Sequence, residues 1–103
     1  MAIGDNVKIA AAKRKLFLPH AIRQMSRPDR MLTPGEVELV VLNGELIEDY
    51  PNDPRGHRCL LLGRGAGDRV VHVVCSPKDD YLALITAYLP DPTQGSTDFK
   101  RRL

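Results

Sequence analysis

The spacing of apolar positions changes near residue 45, and the change predicts two helices followed by strands. In residues 16–25 and 34–43 apolar side chains recur every three or four positions, the period of an amphipathic helix. Pro19 suits the first turn of one helix, while Thr33-Pro34-Gly35-Glu36 is a capping box that opens the second. We predict that Asn43-Gly44 ends the second helix with a left-handed cap.

Beyond residue 45, turn-rich breaks separate four short apolar segments, the pattern of an antiparallel meander. The segments predict strands over residues 45–50, 57–63, 69–75 and 81–89. The expected fold is α+β, with two N-terminal helices packed on a four-stranded antiparallel sheet and an irregular C-terminal tail. Residues 1–15 show no sustained period and are predicted as a basic N-terminal arm, and residues 16–103 as a single domain.

Alternation along the strands predicts apolar side chains on both faces of the sheet. With symmetric hairpins, one face combines Leu82 and Leu84 with a polar group consisting of Arg58, His72, Thr86 and Tyr88. Two short helices cover one face only. The other face is therefore expected to meet the C-terminal tail, a second subunit as in a homodimer, or a partner chain.

Composition narrows the class of protein. No apolar run approaches the roughly 20 residues of a membrane-spanning helix, and Met1–Lys15 lacks the apolar block of a secretory signal, so a cytoplasmic protein without membrane contact is expected. Cys59 and Cys75 lie inside apolar strands. They are predicted to be reduced core thiols rather than disulfide partners or zinc ligands, and neither a metal nor another cofactor is expected.

Charge is segregated along the chain. Residues 1–30 hold seven Lys/Arg and two Asp/Glu, whereas residues 31–57 hold six Asp/Glu and one arginine. A basic face on a small domain indicates an anionic partner, most commonly nucleic acid. A solvated, dipolar surface is the open alternative.

Histidines and arginines supply candidate chemistry that needs no metal. Histidine exchanges protons near neutral pH, and arginine offers a planar, permanently charged fork for phosphate. Cleavage of RNA by its 2'-hydroxyl needs such groups: a base, a cation at the phosphorane, and an acid at the leaving 5'-oxygen. The predicted catalytic residues are His20, His72 and Tyr88, and the predicted RNA-phosphate ligands are Arg23, Arg27, Arg58 and Arg101. A core histidine and a structural tyrosine are the alternatives for His72 and Tyr88.

Seven short motifs follow one another between residues 18 and 102. They are His20-Ala21-Ile22-Arg23-Gln24-Met25, Thr33-Pro34-Gly35-Glu36-Val37, Asn43–Pro51, Arg58–Gly63, His72-Val73-Val74, Ile85–Asp91 and Asp98-Phe99-Lys100-Arg101-Arg102. Together they resemble the family catalogued as domain of unknown function 4258. The resemblance assigns the family's His-x-x-Arg-Met helix to His20, Arg23 and Met25, its strand histidine to His72, and its Tyr-x-Pro to Tyr88 and Pro90.

The resemblance also implies a fold and a function. The fold is that of the RelE, MqsR and BrnT toxins, and the activity is a metal-independent endoribonuclease of a type II toxin–antitoxin system, cutting mRNA free or on the ribosome. The implied protein partner is a zinc-finger antitoxin of the MqsA or YgiT type. The alternative is a non-catalytic module of the same fold that binds RNA or protein. Pro28, and Gln94-Gly95-Ser96 where a tryptophan is often found, depart from the family pattern.

Overall fold

A computed structural model describes residues 3–29 and 31–90, which form an α+β arrangement of three α-helices and one five-stranded sheet. The helices are α1 (Ile3–Lys13), α2 (Pro19–Met25) and α3 (Pro34–Asn43). The strands are β1 (Lys15–Phe17), β2 (Glu45–Tyr50), β3 (Arg58–Arg64), β4 (Val70–Pro77) and β5 (Leu82–Tyr88). Their order across the sheet is β1-β5-β4-β3-β2. No helix in the described part of the chain has the length and apolarity to span a membrane.

The sheet has five strands and is mixed, so the prediction of a four-stranded, purely antiparallel sheet is confirmed only in part. Strands β2 to β5 do form the predicted antiparallel meander. The additional strand β1 pairs in parallel with β5, with Leu16 opposite Ala83. A three-residue strand is too short to show alternation in the sequence, and its partner lies more than 60 residues away, so the pattern gave no sign of it.

A third helix, α1, occupies most of the segment predicted as a basic arm, and the prediction of two helices is wrong in this respect. α1 buries Ile3, Val7 and Ala10, which follow one another at the i, i+4, i+7 spacing of one helix face. The neighbouring Ala11 and Ala12 are also apolar, so the sequence does not show a clear helical period of apolar residues here. Lys13 donates from its ammonium group to the backbone oxygen of Asp79 at 2.9 Å.

The core lies between the three helices and one side of the sheet, here called the helix face. Its buried members include Val7, Met25, Val37 and Val40 from the helices, and Cys59, Leu61, Val71, Val73, Cys75, Leu82, Leu84 and Ala87 from the strands. The opposite side carries Arg58, Leu60, His72, Val74, Thr86 and Tyr88 according to the strand register, and all of these except Arg58 and Tyr88 are buried. It is called the open face because a cleft opens on it, described below.

A bulge in β5 changes which residues share a face. Val74 pairs with Thr86 but its neighbour Cys75 pairs with Leu84, so Ile85 is the extra residue in the β4–β5 ladder. Leu84 therefore lies on the helix face, and the predicted grouping of Leu82 and Leu84 with Thr86 and Tyr88 is wrong. The prediction assumed unbroken alternation, and one inserted residue reverses every side chain beyond it.

The start of α3 matches half of the predicted capping box. The Thr33 hydroxyl accepts a hydrogen bond from the Glu36 backbone N–H at 3.1 Å. The Glu36 carboxylate does not return to Thr33: it accepts from the Ala66 N–H at 2.9 Å and pairs with Arg69 at 2.7 Å. Gly44 ends the helix at φ −73°, in the extended region, so the predicted left-handed cap is wrong.

Candidate functional site

A cleft of about 870 Å³ opens on the open face of the sheet beside α2. Its volume lies within the roughly 300–1,000 Å³ that ligand sites occupy. Its polar lining includes His20, Tyr50, Asp53, Arg55, Arg58 and Thr86, and its apolar lining includes Leu18, Pro51, Val74 and Ile85. This set of residues is called the cleft below.

Strand register and one backbone hydrogen bond bring the cleft residues together. Tyr50 and Arg58 are directly opposite each other in the β2–β3 ladder, so their side chains stand side by side on the open face. Val74 and Thr86 are partners in the β4–β5 ladder and form part of the floor. The Leu18 N–H bonds the Leu84 oxygen at 3.0 Å, which starts α2 at the edge of β5 and carries His20 to the rim.

Arg58 is the most unusual charged group in the cleft. Its side chain is only 13% exposed, and its Nε atom is buried without a hydrogen-bond partner in the described part of the chain. The nearest carboxylate oxygen, Oδ2 of Asp53, lies 3.6 Å from that Nε. Burial removes water from a guanidinium, and hydrogen bonds to charged acceptors compensate for that loss. Arg58 therefore favours the binding of an anion.

Asp53 is held by two arginines. Its carboxylate accepts from the Arg55 backbone N–H at 2.9 Å and from the Arg55 Nε and Nη2 at 3.2 Å each. Hydrogen bonding from the Arg55 side chain, with smaller contributions that include the charge of Arg58, lowers the pKa of Asp53. The carboxylate is therefore ionised at neutral pH, and the group formed by Asp53, Arg55 and Arg58 has an excess of one positive charge.

The structure brings His72 and Tyr88 together, separately from His20. The two are partners in the β4–β5 ladder, with 3.2 Å between His72 Nδ1 and the Tyr88 hydroxyl and with their rings edge to face. His72 is fully buried and Tyr88 is half-buried. They do not line the cleft, but each lies two positions from a floor residue on the same strand face, His72 from Val74 and Tyr88 from Thr86, a separation of about 7 Å.

Of the other predicted phosphate ligands, Arg23 and Arg27 do not line the cleft. Arg23 is exposed in the last turn of α2 and is not among the cleft residues. Arg27 is also exposed and pairs with Asp29 at 3.3 Å. Arg101 lies outside the described residues. Their contact with RNA stays a prediction.

Sequence reasoning missed the contribution of the β2–β3 connection. Tyr50, Asp53 and Arg55 line the cleft, although residues 51–56 read only as a turn-rich break. The available signal was the proximity in sequence of Asp53, Arg55 and Arg58, two arginines within five residues of an acid. It does not reveal that the connection folds over the open face.

The two cysteines have the predicted structural role. They are cross-strand partners on the helix face, both are buried and free of a disulfide, and their sulfur atoms are 3.7 Å apart. Hydrogen bonding to Cys59, together with burial, raises the pKa of the Cys75 thiol well above its usual value. Within residues 3–29 and 31–90, no group of three or more His, Cys, Asp or Glu side chains is arranged to hold a metal ion.

Comparison with known proteins gives one match. The sequence profile of the family described as Domain of unknown function (DUF4258) matches residues 17–89. The matched segment includes every residue that lines the cleft, whereas α1 precedes it. No curated protein and no solved structure matches the chain.

Proposed function

We propose that this chain, which belongs to the family described as Domain of unknown function (DUF4258), is a metal-independent endoribonuclease. It binds RNA on the open face and cleaves it by attack of a 2'-hydroxyl on the adjacent phosphate. The RelE-like toxin character is part of the same proposal, and it rests on the resemblance in sequence described above.

One observation carries the proposal: an exposed histidine and a nearly buried arginine line the same cleft. His20 at the rim is able to exchange protons with solvent and with a ligand. Arg58 offers a guanidinium whose Nε lacks a hydrogen-bond partner in the described part of the chain. A proton acceptor beside a phosphate-binding cation is the minimum that this reaction requires.

The reaction balances with groups of this chain. His20 takes the proton of the 2'-hydroxyl as its oxygen bonds to phosphorus, and Arg58 stabilises the charge of the pentacoordinate phosphorane. The bond from phosphorus to the 5'-oxygen then breaks, and the Tyr88 hydroxyl, oriented by His72, supplies the proton for that oxygen. The products are a 2',3'-cyclic phosphate and a 5'-hydroxyl, and the proton returns from His20 to Tyr88 through solvent.

A non-catalytic RNA-binding module is the second candidate, and one observation favours it. His72 has no exposed surface, so it exchanges a proton with RNA only through Tyr88. If Tyr88 does not reach the scissile phosphate, the same cleft binds RNA without cutting it. Both functions need Arg58 to bind RNA. Only the endoribonuclease needs His20 for a further step, the removal of the 2'-hydroxyl proton.

RNA cleavage by the purified protein tests the proposal. With a chelator present, we expect fragments that end in 2',3'-cyclic phosphate, and we expect His20→Ala and Arg58→Gln each to slow cleavage by about 100-fold or more. His57→Ala and Arg64→Gln are matched controls, since both residues are outside the cleft, and they should retain activity. Binding without cleavage, on free mRNA and on ribosomes, would leave the binding module as the function.

The toxin character is tested in cells. Induction of the wild-type chain should arrest growth and fragment mRNA, and the His20→Ala variant at the same expression level should do neither. Co-expression of a cognate zinc-finger antitoxin is expected to restore growth. Growth arrest by the His20→Ala variant equal to that of the wild type would contradict a catalytic toxin.

A further inference from the structure

The apolar half of the cleft needs an occupant other than phosphate. Leu18, Pro51, Val74 and Ile85 contribute to the lining, together with the charged group of Asp53, Arg55 and Arg58. A phosphate is bound by cations and N–H donors and gains nothing from aliphatic surface. An occupant that fits the whole cleft therefore combines an anionic part with a flat or apolar part.

Tyr50 has a neighbour of each kind in the cleft lining, the apolar Pro51 next to it in the chain and the charged Arg58 across the ladder. It is directly opposite Arg58 in the β2–β3 ladder, which sets their Cβ atoms about 4.5–5.5 Å apart. The Tyr50 hydroxyl donates a hydrogen bond to the Glu48 carboxylate, which fixes the direction of the ring. The ring is half-buried, so part of its aromatic surface stays accessible at the strand position opposite Arg58.

We propose that the cleft accepts one unpaired nucleotide, with its base against Tyr50 and the apolar wall and its phosphate at Arg58. The inference rests on the proposed function, because it names the form of RNA that the site takes. Aromatic side chains bind bases of single strands by stacking, whatever the base. In duplex RNA the bases are stacked on one another, so neither Tyr50 nor the apolar wall reaches a base face.

Binding of oligonucleotides that lack a 2'-hydroxyl nucleophile tests the inference without cleavage. Three fluorescent probes are compared by anisotropy: a single-stranded 2'-O-methyl RNA, the same strand annealed to its complement, and an abasic sugar-phosphate strand of equal length. We expect the duplex and the abasic strand to bind about 5- to 150-fold more weakly than the intact single strand, the range for one stacked base.

Variants of Tyr50 connect this difference to one side chain. Tyr50→Leu should weaken binding of the intact strand to the level of the abasic strand, while its affinity for the abasic strand stays unchanged. Tyr50→Phe keeps the ring and should retain the preference for the intact strand. Tyr81→Leu is the matched control, since Tyr81 is half-buried but outside the cleft, and it should behave as wild type.

The outcomes separate the inference from the proposed function. Equal binding of intact and abasic strands, or an equal loss for both in Tyr50→Leu, overturns the inference, and Arg58-dependent cleavage of RNA would still support the endoribonuclease. If the Tyr50→Leu variant does not fold, the result is decided by the Tyr50→Phe variant and by the ratio of the wild-type affinities for the intact and the abasic strand. Absence of binding to every probe overturns the inference together with RNA binding in the cleft.

Discussion

The two faces of one sheet carry different kinds of residues. The helix face meets three helices through side chains that are almost all aliphatic or thiol. The open face holds three of the four buried polar residues in the described part of the chain, namely His72, Ser76 and Thr86, and the nearly buried Arg58. Since buried polar groups cost free energy unless they are paired, the open face depends on specific pairs, such as His72 with Tyr88 and Ser76 with the His57 oxygen, whereas the helix face depends on apolar packing.

Substitution on the helix face should produce the largest loss of stability. Leu84 is fully buried against the helices, so Leu84→Ala removes apolar contacts and leaves a cavity. We expect the free energy of unfolding to fall by about 2–5 kcal/mol, measured by urea denaturation. A loss below 1 kcal/mol would show that Leu84 does not pack in the core, and the division between the two faces would be wrong.

A substitution of Glu36 sharpens the comparison of the two faces, because Glu36 is the one of the four buried polar residues in the described part of the chain that is not on the open face. Its pKa is lowered chiefly by the Arg69 hydrogen bond, so the ionised form stabilises the folded state. This contribution is present above the usual pKa of 4.5 and is lost as the pH falls through the lower folded value. Glu36→Gln should cost about 1–3 kcal/mol at neutral pH and show a weaker dependence on acid.

Glu38→Gln is the matched control for Glu36→Gln. Glu38 is on the same helix but is half-exposed, and it pairs with Lys15 at 3.7 Å. Exposed pairs of this kind contribute about 0–1 kcal/mol. Urea denaturation at neutral pH and in acid compares the two variants. An equal effect from both would mean that general charge, rather than the buried contact to Arg69 and Ala66, determines the acid dependence.

The smallest effect is expected at Asp53. Its carboxylate pairs with Arg58 and would compete with a phosphate bound there as proposed, so Asp53→Asn should tighten binding of a single-stranded 2'-O-methyl RNA by about two- to tenfold. Asp49→Asn removes the same charge outside the cleft and serves as the control. Equal tightening in both variants would assign the effect to net charge, and weaker binding in Asp53→Asn would assign Asp53 a positioning role.

Much of the fold follows from local patterns. Strand β2 has its predicted bounds, Glu45–Tyr50, because turn residues delimit it on both sides. Helix α3 follows its predicted cap at Thr33. The pattern does not reveal β1, because its pairing with β5 is non-local. It does not reveal the bulge at Ile85 either, because the free energy of a bulge depends on tertiary packing.

The candidate site was predicted in part, for a related reason. His20 and Arg58 were identified by residue type and both line the cleft, and His72 and Tyr88 were predicted on one face and are in contact. The association of Tyr50 with Arg58 follows from strand register, but the approach of Asp53 depends on the path of the 51–56 connection. Sequence patterns describe periodic elements, and a connection has no period to interpret.

The most direct test of the central claim, that phosphate binds on the open face at Arg58, is the side-chain Nε–Hε resonance of Arg58 in a ¹⁵N–¹H NMR titration. With a single-stranded 2'-O-methyl RNA, we expect that resonance to shift in a saturable way, together with backbone amides of Tyr50 and Thr86. The Nε–Hε resonance of Arg64, on the same strand but outside the cleft, should stay in place. Saturable shifts confined to α1 and α3 on the helix face, with Arg58 unchanged, would contradict the account.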